Sequence, residues 1–227
     1  MTHNEVIKQL KAFGTEQNRK VYKRHGVVGD LYGVSYANLG KLKKTIKVDH
    51  EMAEKLWATG NHDARVLATM IADPAKASDR LLNAWAKDLS NYVLTDAFSG
   101  FVMRTSFVRK KMEQWTHSKK EWAGRMGWQL LAYLAMKDTE LTDEFFESHL
   151  ETIERDIHSG KNRVKDAMNS ALIAIGIRNN KLKKKALSAA KRIGKIEVDH
   201  GETGCKTPDA AEYIRKASER KSKGGQR

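Results

Sequence analysis

"LWATGNHDARVLATMIAD", Leu56 to Asp73, decides how this chain is read. An aromatic, Trp57, closes one helical pattern, a short turn follows, and acidic Asp63 opens a second helix with Arg65 inside its first turn. This is a helical hairpin. In its local reading Trp57 packs under the turn and Asp63 pairs with a near neighbour; alternatively, Arg65 reaches out to a phosphate.

The same alternation extends outward along the chain. Apolar residues at helical spacing, broken by short Gly, Asp, Asn and Ser clusters, predict helices at 3–13, 16–25, 35–47, 50–58, 61–73, 76–87, 89–106, 107–117, 120–136, 141–159, 161–178 and 180–193. Ser35 and Thr142 suit N-caps, and the acidic residues after Thr142 suit a helix start. From about residue 50 to 193 the helices pair off, each pair taking roughly 30 to 40 residues, the period of stacked helical hairpins. The expected fold is all-α, an α-α superhelix (solenoid) with a concave basic face, and a compact bundle is its alternative. Residues 1–195 form the repeat domain in this reading. Residues 196–227 form a C-terminal extension, with a short helix near 208–218 and a basic, glycine-rich end expected to be disordered.

Composition narrows the function classes. The chain has 227 residues, of which 40% are hydrophobic, so it can build a core and is not a disordered chain. Forty-two Lys and Arg against 28 Asp and Glu give a formal net charge of +14, a balance suited to a polyanion and shared by ribosomal and membrane-surface proteins. No secretory leader is read, and no apolar run reaches the ~20 residues of a membrane span. A cytoplasmic protein without a membrane partner is expected. The single cysteine, Cys205, excludes an internal disulfide and is too little for a thiolate metal site. "VDHGETGC", with Asp199, His200, Glu202 and Cys205, crowds candidate ligands into too few residues for good metal geometry, so no metal is expected there.

"NYVLTDAFSGF", Asn91 to Phe101, raises the sharpest question. Asp96 interrupts an apolar face that would otherwise run from Tyr92 and Val93 to Phe98 and Phe101, and a carboxylate resists apolar surroundings unless it is paired or used. Downstream, "QWTHSKKEWAGRMGWQLLAYLA", Gln114 to Ala135, holds a W-x(6)-W-x-x-R spacing in Trp115, Trp122 and Arg125. Arg125 enters an apolar face near a helix start, where it can present its guanidinium to a phosphate or form a buried ion pair with Asp96. Upstream, "NRKVYKRHGVVGDLYGVSYANLGKLKK" interleaves cations with Tyr22, Tyr32 and Tyr36, as phosphate contacts or as a solvated helix face.

Three of these patterns together, L-W-x(5)-[DE]-x-R at Leu56 to Arg65, the tryptophan pair with Arg125, and G-[IV]-x(4)-L-x(2)-L at Gly33 to Leu42, resemble the AlkD-like DNA alkylation repair proteins, built from HEAT-like repeats. The resemblance covers roughly residues 30 to 195. It implies that Tyr92 packs on a deoxyribose and that Asp96 is the catalytic carboxylate, stabilising the cationic sugar and positioning water. Arg65 and Arg125, each able to reach a phosphate, and the cations Lys161, Arg163 and Lys165 are the further DNA-binding candidates. The implied activity is hydrolysis of the N-glycosidic bond of N3- or N7-alkylated purines in double-stranded DNA carrying alkylated bases, by a monomer with no cofactor. The sequence departs from the pattern at Ser170, where the characterised glycosylases carry a second cleft aromatic. A non-catalytic nucleic-acid scaffold and a protein–protein adaptor therefore stay open as alternatives.

Overall fold

The computed structural model describes residues 1–224, and the side chains of residues 1–220. Among the described residues there are thirteen α-helices and two 3₁₀ turns, Pro74–Lys76 and Ile157–Ser159, with no strand beyond one isolated bridge between Gly14 and Val34. The fold class is all-α. Predicted helix limits hold to within a few residues, except that the pattern at 89–106 condenses to Tyr92–Val102 and the last helix runs on to Gly224. Only residues 225–227 of the glycine-rich end lie outside the described residues.

The chain divides into two compact units. The first, Met1–Val108 with Gly201–Thr203, contains α1 (His3–Phe13), α2 (Glu16–Arg24), α3 (Tyr36–Ile46), α4 (His50–Ala58), α5 (His62–Ile71), α6 (Asp79–Lys87) and α7 (Tyr92–Val102). Side-chain oxygens start most of these helices: Ser35, Asp49, Asn61, Ser78 and Asn91 each accept an amide three residues on. α4 and α5 form the hairpin read from "LWATGNHDARV", and α5 also packs on α3 and α7. Trp57 and Trp85 stack at 4.2 Å with their planes 1° apart, and Phe98 and Phe101 complete the cluster.

The second unit, Arg109–His200 with Gly204–Arg227, holds nearly all of α8 (Val108–Thr116) and then α9 (Glu121–Lys137), α10 (Asp143–Asp156), α11 (Asn162–Arg178), α12 (Asn180–Ile193) and α13 (Ala210–Gly224). α9 and α11 pack lengthwise. α9 meets the end of α8 at Gly127, where a Cβ would come within 2.2 Å of the Thr116 amide nitrogen. This close approach explains why a glycine follows two residues after Arg125. The extension is built into this unit rather than standing apart: Asn162 and Asp199 exchange reciprocal hydrogen bonds of 2.7 Å, and Asn169 donates to the Pro208 carbonyl at 2.9 Å. α13 then lays the fully buried Ile214 against Gly176 of α11, where a Cβ would meet the Ile214 side chain at 2.6 Å.

Candidate nucleic-acid interface

α7 resolves the placement of Asp96. Its buried face is Leu94, Phe98, Phe101 and Val102, so Asp96 does not interrupt it. Tyr92 and Asp96 instead share a neighbouring face one turn apart, the tyrosine half-buried and the carboxylate exposed to solvent. The expectation that Tyr92 and Val93 begin the apolar stripe is corrected; both are half-buried flanks.

Two side chains from other elements join this face. The hydroxyl of Tyr92 contacts Nδ1 of His25, the C-cap of α2, and the two rings meet edge to face at 5.9 Å. Tyr36, the first residue of α3 and 47% exposed, has its phenol held above the ordinary value, first by partial burial and then by the negative charge of Asp96 and Asp63. It therefore stays a neutral hydrogen-bond donor near the carboxylate. Sequence reading missed His25 and placed Tyr36 only among phosphate-contact aromatics, because tertiary packing alone brings them to α7.

The segment leading into Tyr36 is fixed by Asp63. This fully buried carboxylate accepts three successive backbone amides, Tyr32 at 2.6 Å, Gly33 at 3.0 Å and Val34 at 2.8 Å. Three amide donors, together with its place in the first turn of α5, make an anion tolerable there. Asp63 thus pairs about thirty residues away, not locally as the hairpin reading expects. Gly33 turns with φ of +80°, and a Cβ would come within 2.6 Å of the Thr15 carbonyl, so only glycine closes the loop. Tyr22 adds a bond from its hydroxyl to the Val34 carbonyl at 2.7 Å.

Arg65 follows the local hairpin reading. Its guanidinium donates to the Trp57 carbonyl at 3.2 Å, pairs with the Asp88 carboxylate at 3.2 Å, and lies over the Trp57 ring at 5.3 Å. These contacts fasten the α4–α5 turn to the end of α6 and give this arginine protein acceptors.

In the second unit Arg125 is buried, and it holds Asp166 of α11 at 2.6 Å and the Arg163 carbonyl at 3.2 Å. Asp166, which pairs with it, was not among the sequence-based candidates. At the start of α11, Lys161 is exposed, while Arg163 is half-buried and donates to Nδ1 of His200 at 3.4 Å. Lys165 lines an open cavity of about 640 Å³ with Asn162, Lys195, His200 and Lys206. Ser170 is exposed, with its hydroxyl turned back onto the Asp166 carbonyl at 3.0 Å, so α11 offers no aromatic at this position. Trp115 is core and Trp122 half-buried. Among the described residues no three His, Cys, Asp or Glu side chains converge as metal donors, and no helix is long and apolar enough to cross a membrane.

Comparison with known proteins agrees with this architecture. An uncharacterized protein of Listeria innocua serovar 6a and another of Listeria monocytogenes serovar 1/2a are each 28% identical over 231 residues, 97% of this chain and 99% of theirs. A solved structure from a family of proteins related to the HEAT-like repeat DNA glycosylases, with affinity for branched DNA structures, is similar with a TM-score of 0.88 at 28% identity. That similarity covers 97% of this chain and 95% of the solved one. The profile described as DNA alkylation repair enzyme matches residues 6–214. This chain, an all-α protein of HEAT-like repeats, belongs to the DNA alkylation repair enzyme family.

Proposed function

We propose that this protein binds duplex DNA and hydrolyses the N-glycosidic bond of N3- or N7-alkylated purines, with Asp96 as the catalytic carboxylate. The observation that carries this reading is the solvent-open Asp96 on α7, with Tyr92 on its face and the neutral phenol of Tyr36 within its electrostatic reach. An alkylated purine is already a cationic leaving group. As the C1′–N bond breaks, its electron pair leaves with the base, which becomes neutral, and positive charge develops on the sugar. In this reading Asp96 stabilises that charge and orients the water that bonds to C1′, and the water's proton passes to the carboxylate or to solvent. Tyr92, steadied by His25, supplies a flat face for the deoxyribose. The net charge of +14 suits a backbone-gripping mode of binding.

One observation favours a second reading. Ser170 leaves α11 without the aromatic that the characterised glycosylases carry, and the similar solved structure belongs to proteins with affinity for branched DNA. In that reading the protein recognises DNA architecture without chemistry. Release of 7-methylguanine from methylated duplex by the purified protein separates the two. The glycosylase reading expects release by the wild type and a loss of roughly 100-fold or more in Asp96→Asn with DNA affinity retained. A wild-type protein that binds DNA but releases nothing at large enzyme excess gives the case to the architectural reading.

A further inference from the structure

α12 carries two basic faces with different fates. Lys181, Lys185 and Arg192 point to α10 and are neutralised there: Lys181 meets Glu144 at 2.9 Å and Glu147 at 3.3 Å, Lys185 meets Glu147 at 3.4 Å, and Arg192 holds Glu154. Lys184 and Lys191 lie on another face at i and i+7, Ser188 sits between the two faces and accepts a hydrogen bond from Arg192 at 2.7 Å, and Lys195 follows just past the helix. Lys184, Lys191 and Arg215 of α13 have no ion-pair partner among the described residues, while Lys195 pairs only with the exposed Glu197. Lys191, Lys195, Arg215 and Ser188 line a cavity of about 640 Å³ between α12 and the extension, with Asp209 as its single acidic residue. Lys184 lines a further cavity of about 480 Å³ together with Ser188, Asn180 and the carboxylate-paired Lys181 and Lys185. From Arg215 the sequence continues with Lys216, Arg220, Lys221, Lys223 and Arg227 against one glutamate, Glu219.

We propose that this stripe, Lys184, Lys191, Lys195 and Arg215, is a second nucleic-acid surface that holds the phosphodiester backbone of a DNA segment, and that building it is what the C-terminal extension is for. The proposal rests on the reading that the protein binds DNA, and it locates contacts that the α7 face does not supply. Protein carboxylates already compensate one face of α12; the other is left to a partner. A row of cations spaced along a helix, with no base-reading side chains between them, fits a backbone of regularly spaced phosphates.

Salt dependence tests it. Binding of the full chain to undamaged duplex is measured by fluorescence anisotropy across a salt series for the wild type, for the triple variant Lys184→Gln/Lys191→Gln/Arg215→Gln, and for the control Lys181→Gln/Lys185→Gln. Each lost phosphate contact lowers the slope of log K against log salt by about 0.9, so the triple variant is expected to lose about 2 to 3 from its slope. The control keeps the wild-type slope. If the triple variant does not fold, the single variant Lys184→Gln, at a surface position, is expected to lose about one contact's worth. A wild type that binds while the triple variant, or failing that Lys184→Gln, keeps the same slope overturns the second surface and leaves the glycosylase reading standing. A wild type that binds no duplex at any salt overturns both.

Discussion

Asp63 and Asp96 are both carboxylates on helices of the first unit, and their surroundings give them opposite work. Asp63 is sealed and shared among three amides; Asp96 is exposed, with Tyr92 on its face and Tyr36 within its electrostatic reach. Asp63→Asn removes the charge that strengthens all three bonds and leaves at least one amide poorly matched. The expected cost is on the order of 3 kcal/mol of stability, read from the midpoint of urea unfolding. A change below about 1 kcal/mol would mean that the loop is held by Tyr22 and Thr15 instead. The setting of Asp96 was legible as a question, because a carboxylate among apolar residues stands out in any sequence. That of Asp63 was not, since its partners lie 29 to 31 residues away and are backbone atoms that no side-chain pattern advertises.

Helices were the legible level. Their limits depend on local chemistry, such as Ser35 accepting the Asn38 amide at 3.3 Å and Thr142 accepting the Phe145 amide at 3.3 Å, so spacing and caps suffice to find them. Contacts between elements were not legible, and the α8–α9 approach at Gly127 shows why: a glycine inside a helix reads as weak propensity until the neighbouring backbone is in view. Gly127→Ala is accordingly expected to destabilise the protein by about 3 kcal/mol, although alanine is the better helix former. Thermal unfolding checks this; an unchanged or higher Tm would mean that α8 yields freely. The same blindness applied to the Arg125–Asp166 pair, whose members stand on different helices 41 residues apart.

Across the whole molecule, acid is the condition to which the fold should respond. His62 is buried against Tyr22 with neither ring nitrogen hydrogen-bonded, and burial pushes its pKa below the ordinary value of 6.5. His149 is lowered as well, again chiefly by burial. A histidine whose folded pKa is depressed takes up its proton more readily when unfolded. Stability is therefore full above about pH 6.5 and declines as pH falls below it. A Tm series from pH 8 to pH 5 is expected to fall on the acid side, and His62→Leu to soften that fall; an identical slope in the variant would remove His62 from the account. The chain's strong positive charge adds self-repulsion under the same conditions.

The seat of Ile214 against Gly176 has a practical corollary for anyone reshaping this protein. The last thirty-odd residues look like a disposable appendage, yet an open reading frame stopped at Gly194 would strip the cover from α11 and bare a strip of aliphatic carbon to water. The shortened product would be short by the burial of one isoleucine and its neighbours, about 2 kcal/mol or more, and would be sticky along the helix it had undressed.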